Sequence, residues 1–347
     1  MKMIFAATIL FATFARADVT TNTIPTSTNE NVISQIKLAH PNVTIFSILP
    51  SVTDPEIKTF DYPGGVFVNR DIVVEHKEGL PQDRHELLLW LTGTGGKSIG
   101  TVAFSCVAAD LGYHVINLNY VDDIPASICR NDNDPNGFEE FRMAIIRGGQ
   151  SKHITVERSE SIENRVIKLL QYLQKIRPRE NWGQFLNDDG TIKWESIAVS
   201  GQSQGGGHAT LIAIKHRVAR VICTGSPKDF YQKENIPAAY YKESSATPKN
   251  RYFAFNHLQD YTGDTSPEQL LKNLKSLGLY ELGSPVNVDA EGYPYHHSRI
   301  LMTGYPIVDV TGSQSEGSLT AHFSMLNPKN ADRWKQVWTY LLTETTP

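Results

Sequence analysis

A single serine, Ser203, stands in the pattern Gly201-Gln202-Ser203-Gln204-Gly205. An apolar, β-branched run, "IAVSG", leads into it, and "QGGGHATLIAIKHR" follows with helical composition. G-x-S-x-G between a strand and a helix is the pattern of a nucleophile lifted on a sharp turn. Glycine two residues to either side leaves room for a strained backbone and close packing. The chemistry this permits is attack of the serine oxygen on a carbonyl carbon. A serine hydroxyl is a poor nucleophile, so it needs a base within hydrogen-bond reach. The helix that starts behind it aims unpaired backbone N–H groups at the same space, where they can stabilise a developing oxyanion. The competing reading of the five residues is a plain glycine-rich turn at a helix start, or a phosphate cradle.

The rest of the chain predicts the frame for such a turn. "ELLLWL" is a continuous apolar strand ending in the glycine-rich "TGTGGKS", followed by a helix over "IGTVAFSCVAADLG" that Gly112 stops. "VFVNRDIVVEH" reads as paired early strands, and "HVINLNYV", "VARVICTG", "RYFAFNH" and "SRILMTGY" as further strands. "SIENRVIKLLQYLQKI", "SPEQLLKNLKSLG" and "NADRWKQVWTYLL" have the spacing of amphipathic helices. Apolar strands alternating with such helices predict a mostly parallel sheet covered on both faces. Ligands in these sheets sit beyond the carboxyl ends of the strands, where the serine turn and the glycine loop both fall. From Asp122 to about Glu157 the periodicity disappears, and this polar span predicts a cap inserted between a strand and a helix.

With Ser203 after one strand, Asp260 after a later one and His322 after the last, the chain from about residue 60 onward resembles the α/β-hydrolase family, and within it secreted esterases and lipases. The resemblance implies an α/β-hydrolase fold and a catalytic triad of Ser203, Asp260 and His322. It also implies an oxyanion hole made by the N–H of Gln204 and one from the loop Thr92-Gly93-Thr94-Gly95-Gly96, with Thr94 or Gly95 as donor. The family's usual histidine before the glycines is replaced here by Thr92. The activity implied is hydrolysis of a carboxylic ester, small or polymer-borne, with no cofactor. The alternatives are a peptidase or amidase with the same triad and a non-catalytic binding protein on the same fold.

Each role has rivals. Asp229 and Asp264 also lie beyond strand ends, but Asp264 or Thr265 suits the cap of the helix opening at Pro267. Asp260, three residues past His257, has no such evident task. Among the eleven histidines, His208 lies in the helix behind the serine, His296 and His297 precede the last strand, and His257 could line the pocket. The loop "GTGGKS" is not a phosphate loop, because Leu91 stands where G-x-x-x-x-G-K-[ST] needs glycine. Asp132, Asp134, Asn136 and Gly137 match half of a calcium loop, but Met143 occupies the position of its bidentate acid, so a solvated turn and no metal is expected.

The composition fits this frame. The 347 residues are 40% hydrophobic and carry a formal charge of −4, which excludes a basic footprint for nucleic acid. Past the amino terminus no apolar run is long enough for a membrane span. "MKMIFAATILFATFARADV" reads as a signal peptide cut after Ala17, which predicts a secreted or periplasmic protein. Three cysteines then permit one bridge; Cys106 and Cys129 are the expected pair, with Cys223 a buried thiol.

Overall fold

The computed structural model describes residues 36–58, 70–77, 84–261, 265–306 and 317–346. The segment expected to be a signal peptide and Asp264 lie outside them. Nine strands form one sheet: β1 (Val43–Ile48), β2 (Asp71–His76), β3 (Leu87–Leu91), β4 (His114–Leu118), β5 (Ile197–Gln202), β6 (Arg220–Thr224), β7 (Tyr252–His257), β8 (Val286–Asn287) and β9 (Ile300–Thr303). Their order across the sheet is β1-β2-β4-β3-β5-β6-β7-β9-β8. β2 runs antiparallel to β1 and β4, and every other neighbouring pair is parallel. This is the expected mostly parallel α/β architecture.

Strand β3 shows why the sheet needs helices on both sides. All five residues of "LLLWL" are buried. Leu87, Leu89 and Leu91 point into one core, Leu88 and Trp90 into the other. The first core is closed by α2 (Gly137–Arg147), α3 (Ile162–Ile176), α4 (Gln204–Lys215) and α5 (Pro267–Ser276). The second is closed by α1 (Val102–Asp110) and α7 (Ala331–Thr343), whose Phe104, Trp334 and Trp338 pack with Trp90. A shorter helix, α6 (Gly317–Ser324), precedes α7.

Three expectations change. The span 122–157 is not aperiodic: it holds a 3₁₀ turn over Ala126–Asn131, the helix α2 and a small antiparallel pair, Gly149–Gln150 with Thr155–Val156. Phe138, Phe141, Ala144 and Ile145 of α2 are buried at helical spacing, a stripe masked in the sequence by the charges interleaved with it. The cysteine bridge is corrected: Cys106, Cys129 and Cys223 are all free and buried. Cys106 belongs to the core on one face of the sheet and Cys129 to the core on the other, so the sheet separates them. The cap of α5 is Ser266, which forms a reciprocal capping box with Gln269.

Candidate active site

Ser203 sits between the last residue of β5 and the first of α4, with φ 50° and ψ −115°. This is a strained conformation for a residue with a side chain, and it turns the chain from strand to helix in one step. The surroundings over-determine it. A methyl group built on Gly205 would stand 2.0 Å from the Leu91 carbonyl oxygen, so only glycine lets α4 rest on the end of β3. One built on Gly207 would stand 2.1 Å from the Arg142 guanidinium. Ser203 N–H donates to the Thr224 carbonyl at 2.9 Å, and Ser226 Oγ donates to the Ser203 carbonyl at 2.9 Å. The glycines after the serine therefore serve as clearance for three neighbours.

Asp260 follows β7 in a turn in which its N–H donates to the His257 carbonyl. Its Oδ2 accepts from His322 Nδ1 at 3.1 Å, and both side chains are buried. His322 lies in α6 rather than in a loop. The far end of that helix is held from α7: the Trp334 indole N–H donates to the Ser324 carbonyl and that of Trp338 to the Met325 carbonyl. Gly225, at φ 55°, lets the end of β6 approach the pair, its position 3.0 Å from His322 Cβ and 3.1 Å from Asp260 Oδ2 for an added methyl. Burial works to raise the Asp260 pKa. The His322 hydrogen bond and the neighbouring Lys228 charge overcome it and hold the carboxyl below the usual range. Lys228 Nζ lies 2.9 Å from Asp260 Oδ1.

Ser203, Gln204 and His322 line one cavity of about 210 Å³, together with Gly93, Thr94, Ala126 and Lys228. Of the two loop donors expected for an oxyanion, Thr94 is on this wall. Gly95 is not available, because its N–H is committed to the Asp122 carbonyl at 3.0 Å. Gln204 Oε1 accepts from Thr94 Oγ1 at 2.9 Å and from Ala126 N–H at 2.8 Å. One side chain thus ties the glycine loop and the 122–157 span to the helix that starts at Ser203.

The rival residues have other partners. Asp229 forms a two-point ion pair with Arg142, 2.5 Å on each bond, and accepts from Tyr240 Oη at 2.5 Å. Arg142 donates onward to the Gln204 carbonyl at 2.9 Å, so the pair braces the first turn of α4. His208 is buried beside Arg142, and burial first and that charge second keep it neutral. His257 Nε2 stands 2.9 Å from the Tyr305 carbonyl oxygen. His296 and His297 precede β9, at the opposite end of the strand from α6. Asp132 faces the Lys152 ammonium at 2.5 Å and His153 Nε2 at 2.7 Å, so its carboxylate is partnered on both oxygens. Cys129 completes a group with Asp132 and His153 whose polar atoms lie within 4.8 Å of one another. Arg142 and Lys228 were missed from the sequence. Each is a lone basic residue in a polar stretch, with nothing local to mark it.

No protein-family model and no curated protein sequence matches the chain. Among solved structures it is similar to TT1662 from Thermus thermophilus, at 15% identity over 80% of this chain and 95% of that one, with a TM-score of 0.39. It is also similar to the fluorophosphonate-binding serine hydrolase F of Staphylococcus aureus, at 12% identity over 87% and 99%, TM-score 0.39. A bacterial heroin esterase matches at 14% identity over 91% and 90%, TM-score 0.39.

Proposed function

We propose that the protein is a serine hydrolase of the α/β-hydrolase type that cleaves a carboxylic ester through an acyl-enzyme on Ser203. One observation supports the reading above the others. A buried Asp260–His322 hydrogen bond stands at the wall of the cavity in which the strained Ser203 turn ends. In the proposed reaction His322 Nε2 takes the Ser203 proton as Oγ adds to the ester carbonyl carbon. The tetrahedral oxyanion is met by the N–H of Gln204 and one from Gly93 or Thr94, each worth about 3 kcal/mol in comparable sites. His322 returns the proton to the departing alkoxide, which leaves as an alcohol. Water then adds to the acyl carbon by the same route, giving a carboxylate and free Ser203. Asp260 keeps Nδ1 protonated, so that Nε2 is the basic nitrogen, and stabilises the imidazolium.

The cavity is smaller than the roughly 300–1,000 Å³ of drug-sized ligand sites, which supports a short acyl group. The span 122–157 acts as the cap in this proposal, since its Ala126 and Ser127 form one wall of the cavity. The amino-terminal pattern supports export of the mature enzyme.

The test is labelling by a fluorophosphonate combined with turnover of p-nitrophenyl esters from acetyl to dodecanoyl. Ser203 is expected to take the label, and acetyl and butyryl esters to be turned over fastest. Ser203→Ala is expected to fold normally and lose turnover by about 10⁴-fold or more. Ester hydrolysis within a few-fold of wild type in that variant would end the serine hydrolase reading. Faster turnover of matched amides would redirect it to a peptidase or amidase.

A further inference from the structure

The loop that leaves β6, Gly225-Ser226-Pro227-Lys228-Asp229, is tied at every residue to chain outside it. Gly225 N–H donates to the Phe255 carbonyl at 3.0 Å, and Ser226 N–H to Asn256 Oδ1 at 2.8 Å. Asn273 Nδ2 donates to the Pro227 carbonyl at 3.0 Å, and Thr265 Oγ1 to the Lys228 carbonyl at 2.9 Å. Asp229 N–H donates to Tyr241 Oη at 3.1 Å. A five-residue loop held at five points presents its two charged side chains in fixed directions. They serve opposite partners: Asp229 meets Arg142, and Lys228 meets Asp260.

Lys228 is nearly fully buried and lines the same cavity as Ser203. A buried ammonium is costly unless paired, and its pKa is lowered by burial against the opposing pull of Asp260. The carboxylate of Asp260 is thus held from two sides, His322 on Oδ2 and Lys228 on Oδ1.

We propose that Lys228 is a positioning residue for the Asp260–His322 pair: its ammonium holds the Oδ1 side of the carboxylate so that Oδ2 stays aimed at Nδ1, and its charge stands beside the pair as the counterpart of that on Asp260. The inference rests on the serine hydrolase reading for its catalytic consequence. Among the described residues, the charges near the pair are Lys228 and Asp229 from the loop after β6 and Arg142 from α2, besides Asp260 itself. Arg142 and Asp229 neutralise one another through two hydrogen bonds. Among the described residues, Lys228 is the cation in contact with the Asp260 carboxylate. The sign follows: a positive charge near an imidazole opposes its protonation, so removing it raises the histidine pKa. A unit charge several ångströms away in a partly buried site shifts a pKa by about one unit or more.

The experiment uses the full-length protein and two readouts. The first is the titration of the His322 ring by NMR, assigned with His322→Gln. The second is the acid limb of kcat/KM for p-nitrophenyl acetate. In Lys228→Met both midpoints are expected to move up by about one pH unit, while Lys228→Arg, which keeps the cation, stays within about 0.3 unit of wild type. If Lys228→Met does not fold, Lys228→Gln applies the same test, since it keeps a donor and removes the charge. Unchanged midpoints in a folded, charge-free variant would overturn the inference. A risen His322 midpoint in a protein whose Ser203 takes no fluorophosphonate would leave the pairing standing and end the hydrolase reading instead.

Discussion

At the scale of the residue, the two buried aspartates beside the cavity do different physical work. Asp260 faces a ring that changes charge during the proposed reaction, whereas Asp229 faces a guanidinium that never does. Asp260→Asn is expected to fold and to cost about 10⁴-fold in kcat, because an amide stabilises the wrong tautomer of His322. Asp229→Asn removes the carboxylate that pairs the buried Arg142 guanidinium, and breaking a buried pair costs about 3 kcal/mol or more. Chemical denaturation and kinetics on both variants separate them: each removes the carboxylate of a buried ion pair and lowers stability, but only Asp260→Asn also loses kcat by powers of ten in the protein that remains folded. The reverse pattern would exchange the two roles.

At the scale of the element, the strand-turn-helix around Ser203 depends on close approach rather than on flexibility. α4 begins against the carbonyls at the end of β3, and the absence of a side chain at 205 is what permits contact. Gly205→Ala places a methyl at 2.0 Å from the Leu91 oxygen, which neither helix nor central strand can accommodate. It is expected to abolish the cooperative thermal transition. Gly100, in the 3₁₀ turn after the glycine loop, has nothing within 4 Å of an added methyl, so Gly100→Ala should leave the transition within about 0.5 kcal/mol of wild type. Circular dichroism melts of both variants check this. A folded Gly205→Ala would mean that the turn can open without loss of the sheet.

At the scale of the whole molecule, the sheet divides the chain into two cores and so governs both its thiols and its response to pH. The three cysteines lie buried and unpaired, and burial pushes Cys106 and Cys129 up to about 12 and Cys223 up to about 11. The native protein should therefore react slowly with Ellman's reagent, release three thiols when denatured, and show a melting temperature indifferent to reductant. Asp71, at the start of β2, is fully buried with Asn119 N–H donating to its Oδ1 at 2.7 Å. Burial raises its pKa to about 7, against the weaker pull of that bond and of Arg165. The folded state then holds the proton more tightly than the unfolded one between about pH 4 and 7, so this group lowers stability as pH rises through that window. At about 1.4 kcal/mol per unit the effect is at most several kcal/mol, and Asp71→Asn should flatten the decline. Urea melts at pH 5 and 8 measure it, and a steeper decline in the variant would reverse the sign.

The sequence by itself determined those features whose physical signal is local. The continuous apolar strands and amphipathic helices specified the doubly covered sheet. The G-x-S-x-G run specified a strained turn, because glycine at 201 answers a steric need within one turn of chain, where an added methyl would stand 2.4 Å from the Gly205 carbonyl carbon. The order of Ser203, Asp260 and His322 along the chain singled out Asp260 and His322, which the structure joins by a hydrogen bond. Tertiary structure alone decided what depends on contacts between distant residues. Helix α2 was hidden because its buried stripe is interrupted by charged residues, among them Arg142, whose partners lie 62 and 87 positions away. The cysteine pairing failed because sequence separation carries no information about which side of the sheet a side chain faces. That the Gly95 N–H is already taken required the Asp122 carbonyl, 27 residues further on. Lys228 acquired its place only when four separate segments closed on its loop, since a single lysine has no pattern until its partner is beside it.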